Sequence, residues 1–334
     1  MRRYLVVLGF LAALWLPARA NDSTAELATG GLKFVTTPDI EMRFEDLFIS
    51  PRQIKVRYVF FNNSTKPVTT LVAFPMPDIV VNGPDDNVAY PTDDPENILG
   101  FHTTVDGKPV AAKLEQKVFA AGVDRTDLLR QLGIPLAPQA PATNEALDKL
   151  PPAEWGDLIK LGLADIDEYD AGSGMQKHLE ARWTLKTTYY WEQTFPPQAE
   201  LTIEHSYQPS VGSSVTTSLG QDWARKNGRY PDYETKYCTD RDFVSTVERA
   251  TKAAKADSIA FTEQRIDYIL STGANWDGPI KDFRLVIDKG DPSNLVSFCG
   301  EGVKKIGPTQ FEMRKSDFTP TGDLNVLILA KPSG

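Results

Sequence analysis

Short runs in which apolar and polar residues alternate recur along most of the chain. Residues 40–44 (IEMRF) and 54–60 (IKVRYVF) show this alternation, which places one face of a β-strand in a core and the other in solvent. Turn-forming pairs such as Ser50-Pro51 and Asp106-Gly107 separate the runs. The pattern predicts mainly antiparallel strands over residues 40–44, 54–60, 68–74, 101–105, 110–114, 183–191, 201–207, 266–270, 283–287, 296–299, 310–313 and 326–329.

The period of the apolar residues changes between positions 118 and 180. Leucines at helical spacing predict a helix over residues 128–132, and Gly133 stands where a glycine commonly ends a helix. A Pro/Ala-rich linker over residues 135–141 follows, and Pro151-Pro152 opens a second helix. We interpret this segment as a helical insertion between strands.

The first twenty residues have the three parts of a secretory signal peptide. Arg2 and Arg3 form a positive start, residues 4–16 are an apolar run interrupted only by Gly9, and Ala20 ends a small-x-small cleavage motif. The apolar run is shorter than the roughly 20 residues that span a bilayer, and no later segment approaches that length. We therefore predict an exported protein, periplasmic or secreted, that is cleaved near Ala20 and has no transmembrane segment in its mature chain.

These patterns together predict a mainly β fold, an antiparallel β-sandwich with a helical insertion and a C-terminal β-rich unit. Asp240 is expected to cap a further helix at the start of the C-terminal unit. The predicted segments are a signal peptide (1–20), an N-terminal sandwich part (21–117), the helical insertion (118–180), a continuation of the sandwich (181–237) and the C-terminal unit (238–334).

The charge balance argues against one class of partner. The 334 residues contain 36 Lys+Arg against 45 Asp+Glu, a net charge of −9, and loss of three arginines with the signal peptide makes it −12. A nucleic-acid-binding protein ordinarily carries a basic face, so we expect no nucleic-acid partner.

Only two cysteines are present, Cys238 and Cys299. Because export places them in an oxidising compartment, we predict that they form a disulfide. No histidine or basic cluster adjoins either cysteine to lower a thiol pKa, which argues against a catalytic role.

An acidic loop is the candidate metal site. Residues 67–107 contain several carboxylates and no Lys or Arg, and oxygen-rich loops of this kind suit Ca²⁺. The alternative is a solvated acidic surface without a metal. The candidate calcium ligands, and the only cofactor that we consider, are on Asp85, Asp86, Asp93, Asp94 and Glu96.

Aromatic residues provide the candidate ligand-binding surface. Tyr190 and Trp191 are consecutive on a predicted strand, so one ring faces away from that sheet's own core, and Trp276 adds a third ring. An exposed aromatic platform would suit a sugar or a peptide. The alternative is that both faces of the strand are buried and the rings belong to cores.

Catalysis has weaker support in the sequence. We find no G-x-S-x-G motif and no phosphate-binding glycine loop. Glu192, Glu200 and Glu204 could form an acid pair for glycoside hydrolysis if their separation suited it. His205 could act as a base, but its strand face is typical of a hydrogen-bonded core histidine. We assign no catalytic residue.

Five segments along the chain carry a resemblance to a known family. They are residues 22–32 (DSTAELATGGL), 72–78 (VAFPMPD), 187–196 (TTYYWEQTFP), 204–209 (EHSYQP) and 268–276 (YILSTGANW). In these segments the chain resembles the bacterial domain-of-unknown-function family 4424 of exported proteins. The resemblance covers nearly the whole mature chain and implies no activity and no catalytic residues.

Two functions follow as hypotheses. The first is a non-enzymatic binding or interaction module whose partner is an envelope protein or polysaccharide. The second is a hydrolase that acts on an envelope polymer through Asp/Glu residues. A broad aromatic-edged face would favour the first hypothesis, and a compact charged cleft the second.

Overall fold

The computed structural model describes residues 21–28, 31–83, 88–170, 172, 174–254 and 258–332. The predicted signal peptide, residues 1–20, lies outside the described residues. Within the described ranges, no helix has the length and apolar character that a membrane crossing requires.

The described part of the chain is built mainly from strands, as the alternation predicts. The first ten are β1 (Ser23–Ala28), β2 (Gly31–Val35), β3 (Ile40–Ile49), β4 (Ile54–Asn62), β5 (Val68–Pro75), β6 (Ile79–Val80), β7 (His102–Val105), β8 (Lys108–Val110), β9 (Lys113–Ala120) and β10 (Val123–Asp124). The others are β11 (Ala164–Asp170), β12 (Met175–Ala181), β13 (Thr184–Phe195), β14 (Glu200–Tyr207), β15 (Gly212–Ser214), β16 (Thr262–Tyr268), β17 (Ile280–Asp288), β18 (Leu295–Phe298), β19 (Lys304–Lys305), β20 (Gln310–Phe318) and β21 (Leu324–Ala330).

Helices occupy two parts of the described chain. They are α1 (Thr126–Gln131), α2 (Pro141–Asp148), α3 (Pro152–Lys160), α4 (Asp222–Lys226), α5 (Tyr230–Tyr237) and α6 (Arg241–Ala253), with a 3₁₀ turn at Ser271–Asn275. Two predicted helix ends are confirmed. Gly133 follows α1 with φ +67°, and Asp240 caps α6 by accepting a hydrogen bond from the backbone N–H of Phe243 at 2.7 Å.

Three sheets and one hairpin arrange these strands. Sheet 1 has the order β10-β9-β13-β5-β1-β2, with β6 also paired to β13. Sheet 2 has the order β19-β20-β17-β3-β4-β14-β7-β8, and sheet 3 the order β15-β16-β21-β18. Strands β11 and β12 pair only with each other. The mainly β prediction is confirmed.

Sheets 1 and 2 pack face to face and enclose the main core. Phe60 on β4 meets Phe195 on β13 with ring centroids 5.8 Å apart, and Phe74 on β5 meets Tyr207 on β14 at 5.9 Å. The alternation in β4 explains this arrangement, since every second residue from Ile54 is at most 2 % exposed. Each large apolar side chain buried in this way stabilises the fold by about 1.5–3 kcal/mol.

The C-terminal strands do not all lie in one sheet. Strand β17 pairs in parallel with β3, with Leu285 opposite Leu47, and β20 then adds to β17. Part of the segment predicted as a C-terminal β-rich unit therefore belongs to the same sheet as N-terminal strands. A smaller core between sheet 3 and helices α5 and α6 contains Tyr237, Val247 and Phe261.

Three local features differ from the sequence prediction. The predicted strand 110–114 is divided between the end of β8 and the start of β9. The predicted helical insertion contains three helices but ends in the β11–β12 hairpin, whose residues are largely exposed on both faces and so show no clear alternation. Helices α4 and α5 fall in a stretch that shows no helical period.

Candidate functional site

An open cleft of about 1040 Å³ lies between sheet 1 and the segment that follows β9. The floor is formed by neighbouring strands, with Val80 from β6, Thr184 and Lys186 from β13, and Phe119 from β9. This volume is at the upper end of the roughly 300–1,000 Å³ that small-molecule sites occupy. We treat this cleft as the candidate functional site.

The alternation in β13 sets which side chains form the floor. Leu185 and Thr187 point into the core and are at most 3 % exposed, so Thr184 and Lys186 point outward. Thr184 is the register partner of Phe119 on one side and of Val80 on the other. Three adjacent strands therefore present a polar group between two apolar ones.

The opposite wall comes from the insertion. Ile159 near the end of α3, Gly162 after it and Asp165 on β11 line this side of the cleft. Gly162 has φ +71°, and a Cβ placed on it would lie 3.7 Å from the Cβ of Ala121. This position suits glycine because of its left-handed backbone conformation, which lets the chain turn from α3 into β11.

Trp183 fixes the insertion to the sheet beneath the cleft. Its side chain is 1 % exposed, and its Nε1 donates a hydrogen bond to the carbonyl oxygen of Leu136 at 2.9 Å. Leu136 lies in the stretch between α1 and α2, so one indole connects the sheet to the insertion that walls the cleft. The wall is therefore held by core packing as well as by its own helices.

Both basic side chains of the cleft are paired with carboxylates. Lys186 Nζ lies 2.5 Å from Asp78 Oδ2, and Arg182 donates to Glu180 Oε2 at 2.6 Å and to the carbonyl oxygen of Gly83 at 3.3 Å. Lys186 Nζ also lies 5.8 Å from the centre of the Phe119 ring. The cleft thus has apolar and hydrogen-bonding groups, and both of its basic side chains already face a carboxylate.

The aromatic residues predicted to bind a ligand do not form one surface. Trp191 and Trp276 are 3 % and 4 % exposed and belong to the core between the sheets, where Trp276 contacts Phe60 at 4.4 Å between ring centroids. Tyr190 is half-buried and shares the outward face of β13 with Lys186. A ligand could reach Tyr190 on this surface, whereas either indole would require the core to open.

The acidic loop is only partly described. Asp85 and Asp86 lie outside the described residues. Asp94 Oδ1 accepts hydrogen bonds from the backbone N–H groups of Glu96 and Asn97 at 2.9 and 3.1 Å, which is a turn in which the side chain caps its own loop. Within the ranges that the structure describes, no three His, Cys, Asp or Glu side chains are grouped as metal ligands.

The calcium hypothesis stays a prediction with a direct test. If Asp85, Asp86, Asp93, Asp94 and Glu96 bind Ca²⁺ together, millimolar Ca²⁺ should raise the melting temperature, because ligand binding stabilises the folded state by mass action. NaCl at equal ionic strength is the control, and the double variant Asp85→Asn/Asp93→Asn should lose the shift. An unchanged wild-type melting curve would leave the loop a solvated acidic surface.

A second polar cluster, which the sequence does not predict, lies inside the sandwich. His205 on β14 is 2 % exposed, and its Nε2 lies 3.0 Å from Oδ1 of Asp22, which is fully buried. Burial raises the pKa of Asp22, and the nearby His205 ring opposes that shift. Tyr58 donates to the side-chain oxygen of Asn21 and lies 3.2 Å from the hydroxyl of Tyr268. We call Asn21, Asp22, Glu45, Tyr58, His205 and Tyr268 the interior polar cluster.

The cysteines lie apart from both sites. Cys238 follows α5 with φ +52°, Cys299 follows β18, and the two form a disulfide with Cα atoms 5.0 Å apart. The bridge connects the α5 end to sheet 3. Neither cysteine lines the cleft, and neither is a free thiol.

Comparison with known proteins gives a family and no activity. No curated protein matches the chain. Among solved structures, a "putative nutrient binding protein" from Legionella pneumophila is similar over 93 % of this chain and 70 % of that chain, with 17 % identity and a TM-score of 0.45. This likeness is too weak to support an argument about function.

The family comparison, unlike the structural one, identifies where this chain belongs. A family model described as "Domain of unknown function (DUF4424)" matches residues 20–327, which include every segment on which the resemblance rests. The chain belongs to this family, the domain of unknown function DUF4424.

Proposed function

We propose that this protein is a non-enzymatic binding module of the cell envelope, and that the cleft between sheet 1 and the insertion takes a neutral, hydroxyl-rich ligand of the saccharide class. The observation that carries the proposal is the combination of a cleft of about 1040 Å³ with apolar floor residues and basic side chains that are already paired with carboxylates. The predicted signal peptide and the cysteine pair support export.

The pairing of charges selects the ligand class. A strongly anionic ligand needs a positive charge that is free to meet it, but Lys186 is paired with Asp78 and Arg182 with Glu180. A sugar needs instead an apolar surface for its C–H face and several donors and acceptors for its hydroxyl groups. Phe119 and Val80 provide the first, and Thr184 with the paired charges provides the second.

The side chains named for the hydrolase alternative lie apart from one another. Glu200 and Glu204 lie on the outward face of β14, where they pair with Arg43 and Arg57 respectively. Glu192 lies on a different sheet, and His205 is inside the sandwich. These side chains do not converge on a common substrate position.

Saccharide binding can be tested by titrating soluble envelope oligosaccharides into ¹⁵N-labelled protein and recording chemical-shift changes. We expect shifts at Thr184, Lys186 and Phe119. The variants Phe119→Ala and Lys186→Met should each weaken binding by about tenfold, equivalent to roughly 1.4 kcal/mol.

Matched variants on sheet 2 separate a binding effect from a general effect on the fold. Phe44→Ala removes another half-buried aromatic ring, and Lys55→Met removes another exposed lysine from a strand. Both should bind as the wild type does. Binding of charged dipeptides in the cleft in place of saccharides, or equal saccharide binding by Phe119→Ala, would contradict the proposal.

A further inference from the structure

The first described residues lie inside the sandwich. Asn21, Asp22 and Ser23 have no exposed surface, and Thr24 is 1 % exposed. The backbone N–H of Asn21 donates to the Thr272 hydroxyl, which in turn lies 2.6 Å from the Asn21 carbonyl oxygen. The N-terminal residues of a domain are usually exposed and poorly ordered unless they are tied down. Here the backbone nitrogen of Asn21 is at the centre of a packed interior.

Glu45 lies beside Asn21 without a counter-charge. It is fully buried, its Oε2 accepts a hydrogen bond from Asn21 Nδ2 at 3.0 Å, and its Oε1 has no hydrogen-bond partner within the described residues. Burial raises the pKa of Glu45 to about 8, and the charge of Asp22 adds to that shift. A buried carboxylate is costly unless a positive group pairs with it.

A count of charges in the interior polar cluster shows what is missing. Two carboxyl groups, on Asp22 and Glu45, face one side chain that can become positive, His205. His205 lies against Asp22, so protonated His205 would balance that carboxylate and leave Glu45 unbalanced. Tyr58 and Tyr268 add no positive charge, and the ion pairs of the described residues place no Lys or Arg on Glu45. The cluster lacks one cation at Glu45.

We propose that cleavage after Ala20 supplies this cation, because the new α-ammonium group of Asn21 pairs with the Glu45 carboxylate inside the sandwich. Hydrolysis adds the hydroxyl of water to the Ala20 carbonyl carbon and a hydrogen to the Asn21 nitrogen. The proton of the new carboxyl group then leaves, and the amine takes up one proton. The inference rests on the export that the proposed function assumes, but it does not depend on the cleft.

Removal of the leader would then complete the interior of the fold. The Asn21 nitrogen already donates to Thr272, and an ammonium group has two further hydrogens that can meet the unpartnered Glu45 Oε1. The match to the family model begins at residue 20, next to the predicted cleavage point, which agrees with a domain that starts at Asn21.

The two forms of the chain should respond differently to pH. If residues still precede Asn21, Glu45 is neutral only while it holds its proton. Its folded pKa of about 8 lies above the ordinary 4.5, so the stabilisation from that proton is fully present below pH 4.5 and is lost as the pH rises to about 8. In the cleaved chain the ammonium group replaces the proton, and stability should hold over that range.

The test compares two proteins that differ only at the N-terminus. One is exported with its own leader and begins at Asn21, as verified by N-terminal sequencing, and the other begins with Gly-Ser before Asn21. The extension should lower the melting temperature at pH 8 by about 5 °C or more and by less at pH 5. Glu45→Gln should lower the melting temperature of the free-amine protein at pH 8 and abolish the effect of the extension.

Glu263→Gln is the matched control variant. Glu263 is 2 % exposed and accepts hydrogen bonds from Thr217 and Tyr233, outside the interior polar cluster. Its replacement should therefore affect the free-amine and extended proteins equally. If Glu263→Gln destabilises the free-amine and the extended protein by the same amount, the loss comes from an ordinary buried hydrogen bond and not from the N-terminus.

A labelling experiment keeps the test decisive if Glu45→Gln does not fold. In folded wild-type protein the α-amine should resist acetylation, whereas surface lysines such as Lys55 react and the denatured chain reacts at Asn21. A mature chain that begins elsewhere, an α-amine that reacts as fast as surface lysines, or an extension without effect on stability would each overturn the inference. None of these readouts depends on saccharide binding, so the two proposals fail separately.

Discussion

Replacing His205 with alanine should lower the free energy of unfolding by about 3–5 kcal/mol, because it leaves Asp22 buried without a partner. His205 and Asp22 are at most 2 % exposed, and the second oxygen of Asp22 has no hydrogen-bond partner within the described residues. The measurement is urea unfolding followed by tryptophan fluorescence at neutral pH, with the slope checked for two-state behaviour.

The neighbouring Glu204 provides the control. It forms an ion pair with Arg57 in which both side chains are nearly half exposed, so Glu204→Ala should cost no more than about 1 kcal/mol. The sign of the pH effect is also fixed. Because the pKa of Asp22 is raised in the folded state, its proton stabilises the fold at low pH and the stabilisation is lost as pH rises, more steeply without His205. A loss below 1 kcal/mol for His205→Ala would mean that this pair does not hold the two sheets together.

Removing the disulfide should have an effect of similar size. The double variant Cys238→Ser/Cys299→Ser opens a loop of 61 residues, and loop-closure entropy predicts a loss of roughly 4 kcal/mol. The bridge connects the end of α5 to the residue after β18. A thiol assay on the denatured wild-type protein should find no free thiol, and reduction should lower its melting temperature.

A variant at Ser297 separates the effect of the disulfide from the effect of the noncovalent contacts around it. Its hydroxyl donates to the carbonyl oxygen of Tyr237 at 2.9 Å, joining the same two elements without a covalent bond. Ser297→Ala should therefore cost about 1 kcal/mol while the thiol count stays at zero. Two free thiols in protein isolated from its own compartment would contradict the disulfide prediction.

The sequence predicts the strands well because most have one buried face. Strands β4, β13 and β14 alternate clearly, and their buried positions match the apolar positions. The hairpin of β11 and β12 escapes prediction because it has little buried surface to impose an alternation. The parallel pairing of β17 with β3 also escapes, since two separate alternating runs contain no information about which strand each will join.

The candidate sites are harder to predict because their parts are far apart in the sequence. In the sequence, Phe119 and Lys186 are ordinary outward-facing strand residues. Only the structure shows that they line a cleft together with residues of the insertion. Asn21 of the interior polar cluster donates a hydrogen bond to Thr272, 251 positions away, and no local pattern indicates such a contact. The Pro/Ala stretch 135–141 resembles an exposed linker in the sequence. In the structure, however, the carbonyl oxygen of its Leu136 accepts a hydrogen bond from the indole N–H of the buried Trp183.

The place of β3 in sheet 2 has a consequence for the order in which the chain can fold. Strand β3 is central only when β17 lies beside it, and the contact between Asp46 and Arg284 spans 238 positions. Contacts of such long range close slowly and require the late residues to be present. A chain synthesised only as far as residue 279 would expose the ten-residue edge of β3, which could pair with other chains. Sheet 2 therefore cannot close until almost the whole chain has been synthesised, so shorter chains keep this sheet incomplete.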